Sequence, residues 1–314
     1  MISAKNLSKN FGTLKAVRGI SFEVKKGEVL GFLGPNGAGK TTTMKLLTGF
    51  LVPTAGSVSI CGFDISKNLL NAQQKIGYLP EGSPLYGEMT PRTFLNFISQ
   101  VRGLTNDTAE NAFKKVVKNV GLEGVLDQEV ETLSKGYQRR LGLAQALIHD
   151  PEVLILDEPT DGLDPNQKHD VRKLIRSLAR KKAIIISTHI LEEVESVCTR
   201  AIIINRGQIV ADGTPYELKT RSMYHNAVVL RGPLLGHKKL AGALAKLRHV
   251  GGVEIQKEGH KVTLSIIAKG AKPPLIAIRK ILAKAKWPVN NISVDTGRLD
   301  DVFRALTTTE KDVV

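Results

Sequence analysis

Gly34-Pro35-Asn36-Gly37-Ala38-Gly39-Lys40-Thr41 is the stretch that decides the fold. It follows the apolar run Val29-Leu30-Gly31-Phe32-Leu33 and opens a helix that continues through Leu47. Strand, glycine-rich turn and helix in that order make a phosphate-binding loop of the G-x-x-x-x-G-K-[ST] type. The glycines let backbone N–H groups turn inward around an anion, at the positive end of the helix dipole. Lys40 is then expected to reach the β and γ phosphates of a nucleotide, and the Thr41 hydroxyl to ligate Mg2+.

Further along, Val153-Leu154-Ile155-Leu156-Asp157-Glu158 reads as a buried strand that delivers two adjacent carboxylates at its C-terminal end. Such a pair suits a metal site: Asp157 can hold Mg2+ directly or through water, while Glu158 polarises an attacking water. Alone, an apolar run ending in Asp-Glu is an ordinary strand end. Its position 117 residues after Lys40 makes it the second half of a nucleotide site.

Between these two lies Leu133-Ser134-Lys135-Gly136-Tyr137-Gln138, 24 residues ahead of Asp157 and opening a helix with Leu141, Leu143, Ala144 and Leu147. It resembles the Leu-Ser-Gly-Gly-Gln signature of ATP-binding cassette (ABC) ATPases. The remaining motifs follow in that family's order. Glu158-Pro159-Thr160-Asp161-Gly162-Leu163-Asp164 resembles the Walker B exit and D-loop, with Asp164 as the D-loop aspartate. Ser187-Thr188-His189 closes an apolar strand as the family's switch histidine does, and Phe11 resembles the aromatic that stacks on adenine. The resemblance covers residues 1 to about 218. It implies ATP contacts from Phe11 and from the loop Gly34, Pro35, Asn36, Gly37, Ala38, Gly39, Lys40, Thr41 and Thr42. It implies metal contacts from Thr41 and Asp157, and catalytic roles for Glu158 and His189. Leu133, Ser134, Lys135, Gly136 and Gln138 are expected to face the γ-phosphate held by another subunit, so that two ATP molecules are sandwiched between two copies.

Two positions depart from the family pattern. Gly77-Tyr78-Leu79-Pro80-Glu81 places Glu81 at the usual Q-loop glutamine. A carboxylate still coordinates Mg2+ but adds negative charge beside the γ-phosphate. Lys135 stands in the second signature position, where it either adds a cation near the opposing phosphate or points to solvent. These two features, with Leu299-Asp300-Asp301-Val302-Phe303, resemble the exporter branch whose ATPase pairs with a separately encoded permease. Leu299 to Leu306 also reads as a plain amphipathic terminal helix.

The rest of the chain is consistent with an α/β cassette carrying a second unit. Continuous apolar runs at Val29–Leu33, 153–156 and 183–187 are expected to be parallel strands covered on both faces. From about 83 to 150 the texture is helical. Thr90-Pro91 starts one helix with Phe94, Phe97, Ile98 and Val101 at helical spacing, and Ala112, Phe113, Val116, Val117 and Val120 mark another. From 219 to 314 the order strand 227–231, helix 238–247, strands 253–257 and 262–267 across Glu258-Gly259-His260, helix 275–285, strand 291–296 and helix 299–306 is β-α-β-β-α-β followed by a helix. That is a small α+β unit of ferredoxin-like type.

Composition narrows the function classes. The 314 residues carry 45 Lys plus Arg against 30 Asp plus Glu, a net charge of +15. Residues 219–314 hold 18 basic and 7 acidic side chains, net +11, whereas residues 1–218 are only +4. Two cysteines, Cys61 and Cys198, give neither a disulfide framework nor a zinc site, and the histidines other than His189 show no ligand spacing. No apolar run approaches the ~18 residues of a membrane span, and the N-terminus lacks a secretory signal. The expectation is a cytoplasmic ATPase, peripheral at the inner face of the membrane through an integral-membrane permease, and paired with a second copy or a homologous ATPase subunit. The basic unit would face the anionic leaflet, a regulatory partner, or solvent alone. The rival reading, a non-transport ABC ATPase on ribosomes or nucleic acid, lacks the tandem cassettes or long coiled coil of such relatives, so no specific nucleic acid is expected.

Overall fold

The computed structural model describes residues 1–82, 84–270 and 272–308. Ser83, at the start of the expected helical insertion, and residues 309–314 lie outside the described residues. The chain divides into two compact units, Met1–Thr214 and Pro215–Val314. The division falls four residues ahead of the expected 218, because the short helix Pro215–Lys219 belongs with the second unit.

The first unit is built on a six-stranded sheet in the order Gln208–Gly213, Arg200–Asn205, Val29–Leu33, Ala183–Thr188, Val153–Asp157, Ile76–Leu79. All neighbours are parallel except the first pair. The continuous apolar runs follow from coverage on both faces. Leu154, Leu156, Ile184 and Ile186 enter one core, with the helices Pro91–Val101, Asn106–Val120 and Lys135–Leu147. Val153, Ile155, Ala183 and Ile185 enter the other, with Met44, Leu46 and Leu47 of the helix Lys40–Leu47.

That second core has a further wall which the sequence did not announce. An antiparallel sheet in the order Leu14–Val24, Ile2–Phe11, Ala55–Ile60, Phe63–Asp64 contributes Ile2, Leu7, Val17, Phe22 and Val58 to it. The helical segment also differs in one detail. Thr90 caps Pro91–Val101 through a reciprocal bond with Thr93, as its sequence suggests, and Phe94 is buried. Phe97 and Val101, placed on the same face by spacing, are instead exposed, and Leu95 takes the inner position. Phe97 packs edge-on against Tyr86, with ring centroids 6.1 Å apart, while Leu85 and Met89 rest on the core.

The second unit is a four-stranded antiparallel sheet in the order Val250–Glu258, Lys261–Ala268, Val228–Pro233, Asn291–Val294. Its core joins the sheet residues Leu230, Leu264 and Ile266 to Leu240, Leu244 and Ile278 of the helices His237–Ala245 and Leu275–Ala285. The hairpin closes at Glu258 and Lys261 over Gly259-His260, where Gly259 has φ +58°, as a two-residue turn demands. This is the split β-α-β arrangement expected from the sequence, with both central strands longer than the apolar runs that announced them.

Candidate nucleotide site

The loop between Leu33 and Lys40 follows one of the central strands and leads into the helix Lys40–Leu47. Two of its glycines are required by close approach. A Cβ on Gly34 would sit 2.5 Å from the Ile204 carbonyl oxygen, and one on Gly39, whose φ is +105°, would sit 2.5 Å from that of Ala16. Ala38 O accepts from Gly207 N at 2.9 Å, and Arg18 N donates to Gly207 O at 2.9 Å, which ties the loop to both sheets. Lys40 is only 6% exposed, and its ammonium donates to the carbonyls of Gly34 (2.8 Å) and Pro35 (3.2 Å). Burial pulls its pKa below the ordinary lysine value, opposed by the negative charge of Glu158, Asp157 and Glu81.

These segments meet in an open cleft of about 480 Å³ whose lining includes Phe11, Lys40, Thr41, Glu81, Glu158 and Arg206. Phe11 stands at the end of its strand, half exposed, with the Lys9 ammonium 5.3 Å from its ring centre. The Thr41 hydroxyl donates to Oε2 of Glu81 at 3.3 Å. Asp157 is fully buried. The Ser187 hydroxyl donates to its Oδ1, while its Oδ2 has no hydrogen-bond partner. Burial raises the Asp157 carboxyl above the usual aspartate range, helped by the negative charges of Glu81 and Glu158, while the hydroxyls of Ser187 and Thr41 pull it back.

Glu158 adopts a left-handed backbone, φ +51°, a strained conformation for a non-glycine residue. Its amide donates to Ser187 O at 3.1 Å, and its Oε1 lies 3.0 Å from Nδ1 of His189, which ends the neighbouring strand. The carboxylate and the histidine named from sequence are thus in direct contact.

Among the described residues no three His, Cys, Asp or Glu side chains form a metal cage. What the cleft offers is one buried carboxylate oxygen without a partner, a threonine hydroxyl and a nearby glutamate. That donor set fits Mg2+, which keeps several waters and is commonly held by one or two carboxylates plus the phosphates of a nucleotide.

The signature residues stand apart from this group. Ser134 is exposed and caps the helix Lys135–Leu147, accepting from Tyr137 N at 3.4 Å. Lys135 is exposed; Leu133 and Gly136 are buried. The Gln138 amide donates inward to Val130 O at 3.0 Å. Asp164 caps the helix Pro165–Ala179 by accepting from Gln167 N at 2.9 Å.

Three residues not singled out from sequence pack behind the strand ends that carry Glu81, Glu158 and His189. Buried Arg139 donates to the backbone carbonyls of Pro80 (2.8 Å), Asp157 and Glu158 (2.6 Å). Glu193, buried and raised in pKa by that burial, accepts from the hydroxyls of Thr160 and Thr188 and so joins the turn after Glu158 to the strand end before His189. Both carried a readable sign, since each is a charge placed at helical spacing among buried positions: Arg139 between Gly136 and Leu143, Glu193 beside Val194 and Val197. The third is Tyr78, whose hydroxyl is buried without a partner.

Comparison with known proteins gives this geometry a context. A family model described as ABC transporter matches residues 17–161. The Nod factor export ATP-binding protein I of Burkholderia lata is 41% identical over 74% of this chain and 77% of its own length. The linearmycin resistance ATP-binding protein LnrL of Bacillus subtilis is 36% identical over 84% of this chain and 85% of its own. Among solved structures, an ATP-binding subunit of an ABC transporter superposes with a TM-score of 0.66 at 29% identity, covering 70% of this chain and 92% of that one.

Proposed function

Since the chain belongs to the ABC transporter family of ATP-binding proteins, we propose that it binds and hydrolyses ATP at the Phe11–Lys40–Glu158 cleft to drive export through a separate membrane permease. The observation that supports the reading is that Lys40, Thr41 and Glu158 line one cleft beside a strand–loop–helix anion site, with His189 against Glu158 and the buried Asp157 next to it in the chain.

Backbone N–H groups of residues 36–42 and the Lys40 ammonium bind the phosphates, exchanging the Gly34 and Pro35 carbonyls for phosphate oxygens. Phe11 stacks on the base. Thr41 and Asp157, with Glu81 alongside, would hold Mg2+, which would neutralise phosphate charge when bound. Glu158 accepts a proton from the attacking water as its oxygen bonds to the γ-phosphorus. The bond from that phosphorus to the bridging oxygen breaks, and ADP and phosphate leave. His189 holds the Glu158 carboxylate and contacts the γ-phosphate. Ser134, Lys135 and Gly136, on an exposed helix N-terminus, complete the site of a second subunit.

No helix among the described residues is long and apolar enough to cross a membrane. The reading therefore requires a permease, with the ATPase at its cytoplasmic side, and the second unit serves as a basic accessory module. No observation favours a ribosomal or nucleic-acid role. Glu158→Gln is expected to cut Mg2+-dependent phosphate release by about 10²–10⁴-fold. It should keep ATP binding and accumulate an ATP-dependent dimer in gel filtration. Turnover near the wild-type rate would remove Glu158 as the base.

A further inference from the structure

Two buried side-chain oxygens near the cleft lack hydrogen-bond partners among the described residues: Oδ2 of Asp157 and the hydroxyl of Tyr78. They are complementary, one an acceptor and the other a donor. The sheet also brings them together. Ile76–Leu79 and Val153–Asp157 are adjacent parallel strands, with Tyr78 paired to Ile155. Side chains alternate along a strand, so Asp157 shares the face of Ile155 and hence of Tyr78. Tyr78 packs on the same core as Ile155, the core covered by the helix that begins with Lys40 and Thr41. The charges acting on the phenol are, in order, those of Asp157, Glu81 and Arg139, after the larger effect of burial. A phenolic hydroxyl can donate a hydrogen bond that a carboxylate oxygen accepts.

Leaving both atoms unsatisfied costs on the order of a hydrogen bond each, whereas a single bond between them satisfies both. We propose that Tyr78 is a positioning residue of the cation site: its hydroxyl donates, directly or across one water, to the Oδ2 side of Asp157 and holds that carboxylate turned toward Thr41. This rests on the ATPase reading above and extends it to a residue three positions before Glu81. Tyr78 acts through Asp157 and touches neither nucleotide nor phosphate. In metal sites, partners of ligands set the ligand's orientation and basicity, and their loss weakens metal binding by about 10–100-fold.

The test is Tyr78→Phe, which keeps the ring and its packing and removes only the hydroxyl. Mn2+ binding, followed by electron paramagnetic resonance with a non-hydrolysable ATP analogue, should weaken by about 10–100-fold. Nucleotide affinity measured in EDTA should stay within twofold of wild type. In an Asp157→Asn background the Tyr78→Phe change should add no further loss, because the hydroxyl would have lost the charge it serves. Equal Mn2+ affinity in Tyr78→Phe and wild type overturns the proposal. So does a loss of nucleotide affinity that is the same with and without cation, which would make Tyr78 a packing residue alone. A wild-type chain that fails to bind the analogue sinks the ATPase reading itself, a result distinguishable from either.

Discussion

The two units treat charge in opposite ways. The first, nearly balanced at +4 for residues 1–218, builds its candidate anion site from backbone amides, a helix end and one lysine that is 6% exposed. The second, with +11 from residue 219 onward, spreads its cations over an open surface. One concavity of about 660 Å³ there is lined by His249, Lys269, Lys272 and Lys280 beside Pro274 and Ile276, without a carboxylate among its lining residues. Net charge therefore says little about where a phosphate is gripped. A buried lysine and aligned N–H groups act at short range in a low-dielectric setting, whereas exposed lysines act through a field that salt screens within about 8–10 Å.

That contrast can be broken most directly by exchanging the two kinds of lysine. Lys40→Ala is expected to reduce nucleotide binding and turnover by roughly 10²–10³-fold, the scale of losing one preorganised charge donor. Lys269→Glu, Lys272→Glu and Lys280→Glu combined in the full-length chain should leave ATP turnover unchanged. The combined variant should lower the retention of the chain on phosphatidylserine vesicles, with the wild-type retention itself falling steeply as salt rises. If the triple variant loses ATP turnover instead, the division of labour between the units is wrong; if wild-type retention is absent at low salt, the basic surface is only a solvated one.

A smaller effect sharpens the picture inside the first unit. Ser134→Asn retains a side chain able to cap the helix Lys135–Leu147, so folding should be little affected. Hydrolysis should fall by about tenfold or more, the scale of one hydrogen bond to a charged group. ATP affinity of the isolated monomer should not change. A matching loss of monomer affinity would place Ser134 beside its own nucleotide rather than a partner's.

The smallest expected effect is one of pH. Burial holds His149 down at a pKa of about 4, with its Nε2 against Ile76 O at 3.0 Å. The unfolded chain takes up that proton near the ordinary histidine value of about 6.5. Between those values the unfolded state binds more protons than the native one, so stability is full above pH 6.5 and lost progressively as pH falls to 4. Calorimetry should show the melting temperature of the first unit dropping by roughly 10 °C over this window from His149 alone. His149→Gln should remove much of that drop. An unchanged pH profile in the variant would assign the sensitivity elsewhere.

The nucleotide loop, the Asp157-Glu158 strand end and the order of elements in the second unit were legible because each depends on local chemistry: glycines where backbone must approach backbone, apolar runs of strand length, a two-residue turn between alternating segments. Other features are set by neighbours distant in sequence. The antiparallel sheet is not announced by apolar runs, since Ile2–Phe11 and Leu14–Val24 mix buried and exposed positions irregularly and their register shifts more than once. Phe97 and Val101 satisfy a helical spacing yet face outward, because the insertion covers its core with Phe94 and Leu95. Arg139 and Glu193 stand out in the sequence as charges among buried helix positions, but their partners are set only once distant strand ends are brought side by side.

Arg139 has one more consequence. Its guanidinium spans the carbonyls of Pro80, Asp157 and Glu158, while its Cα belongs to the helix that Ser134 begins. A planar, delocalised group held at three carbonyls cannot turn without losing several charge-assisted bonds at once. The helix and the two strand ends consequently behave as one stiff crank. The helix that Ser134 begins and the backbone from which Glu158 reaches into the cleft are therefore fastened together through one side chain.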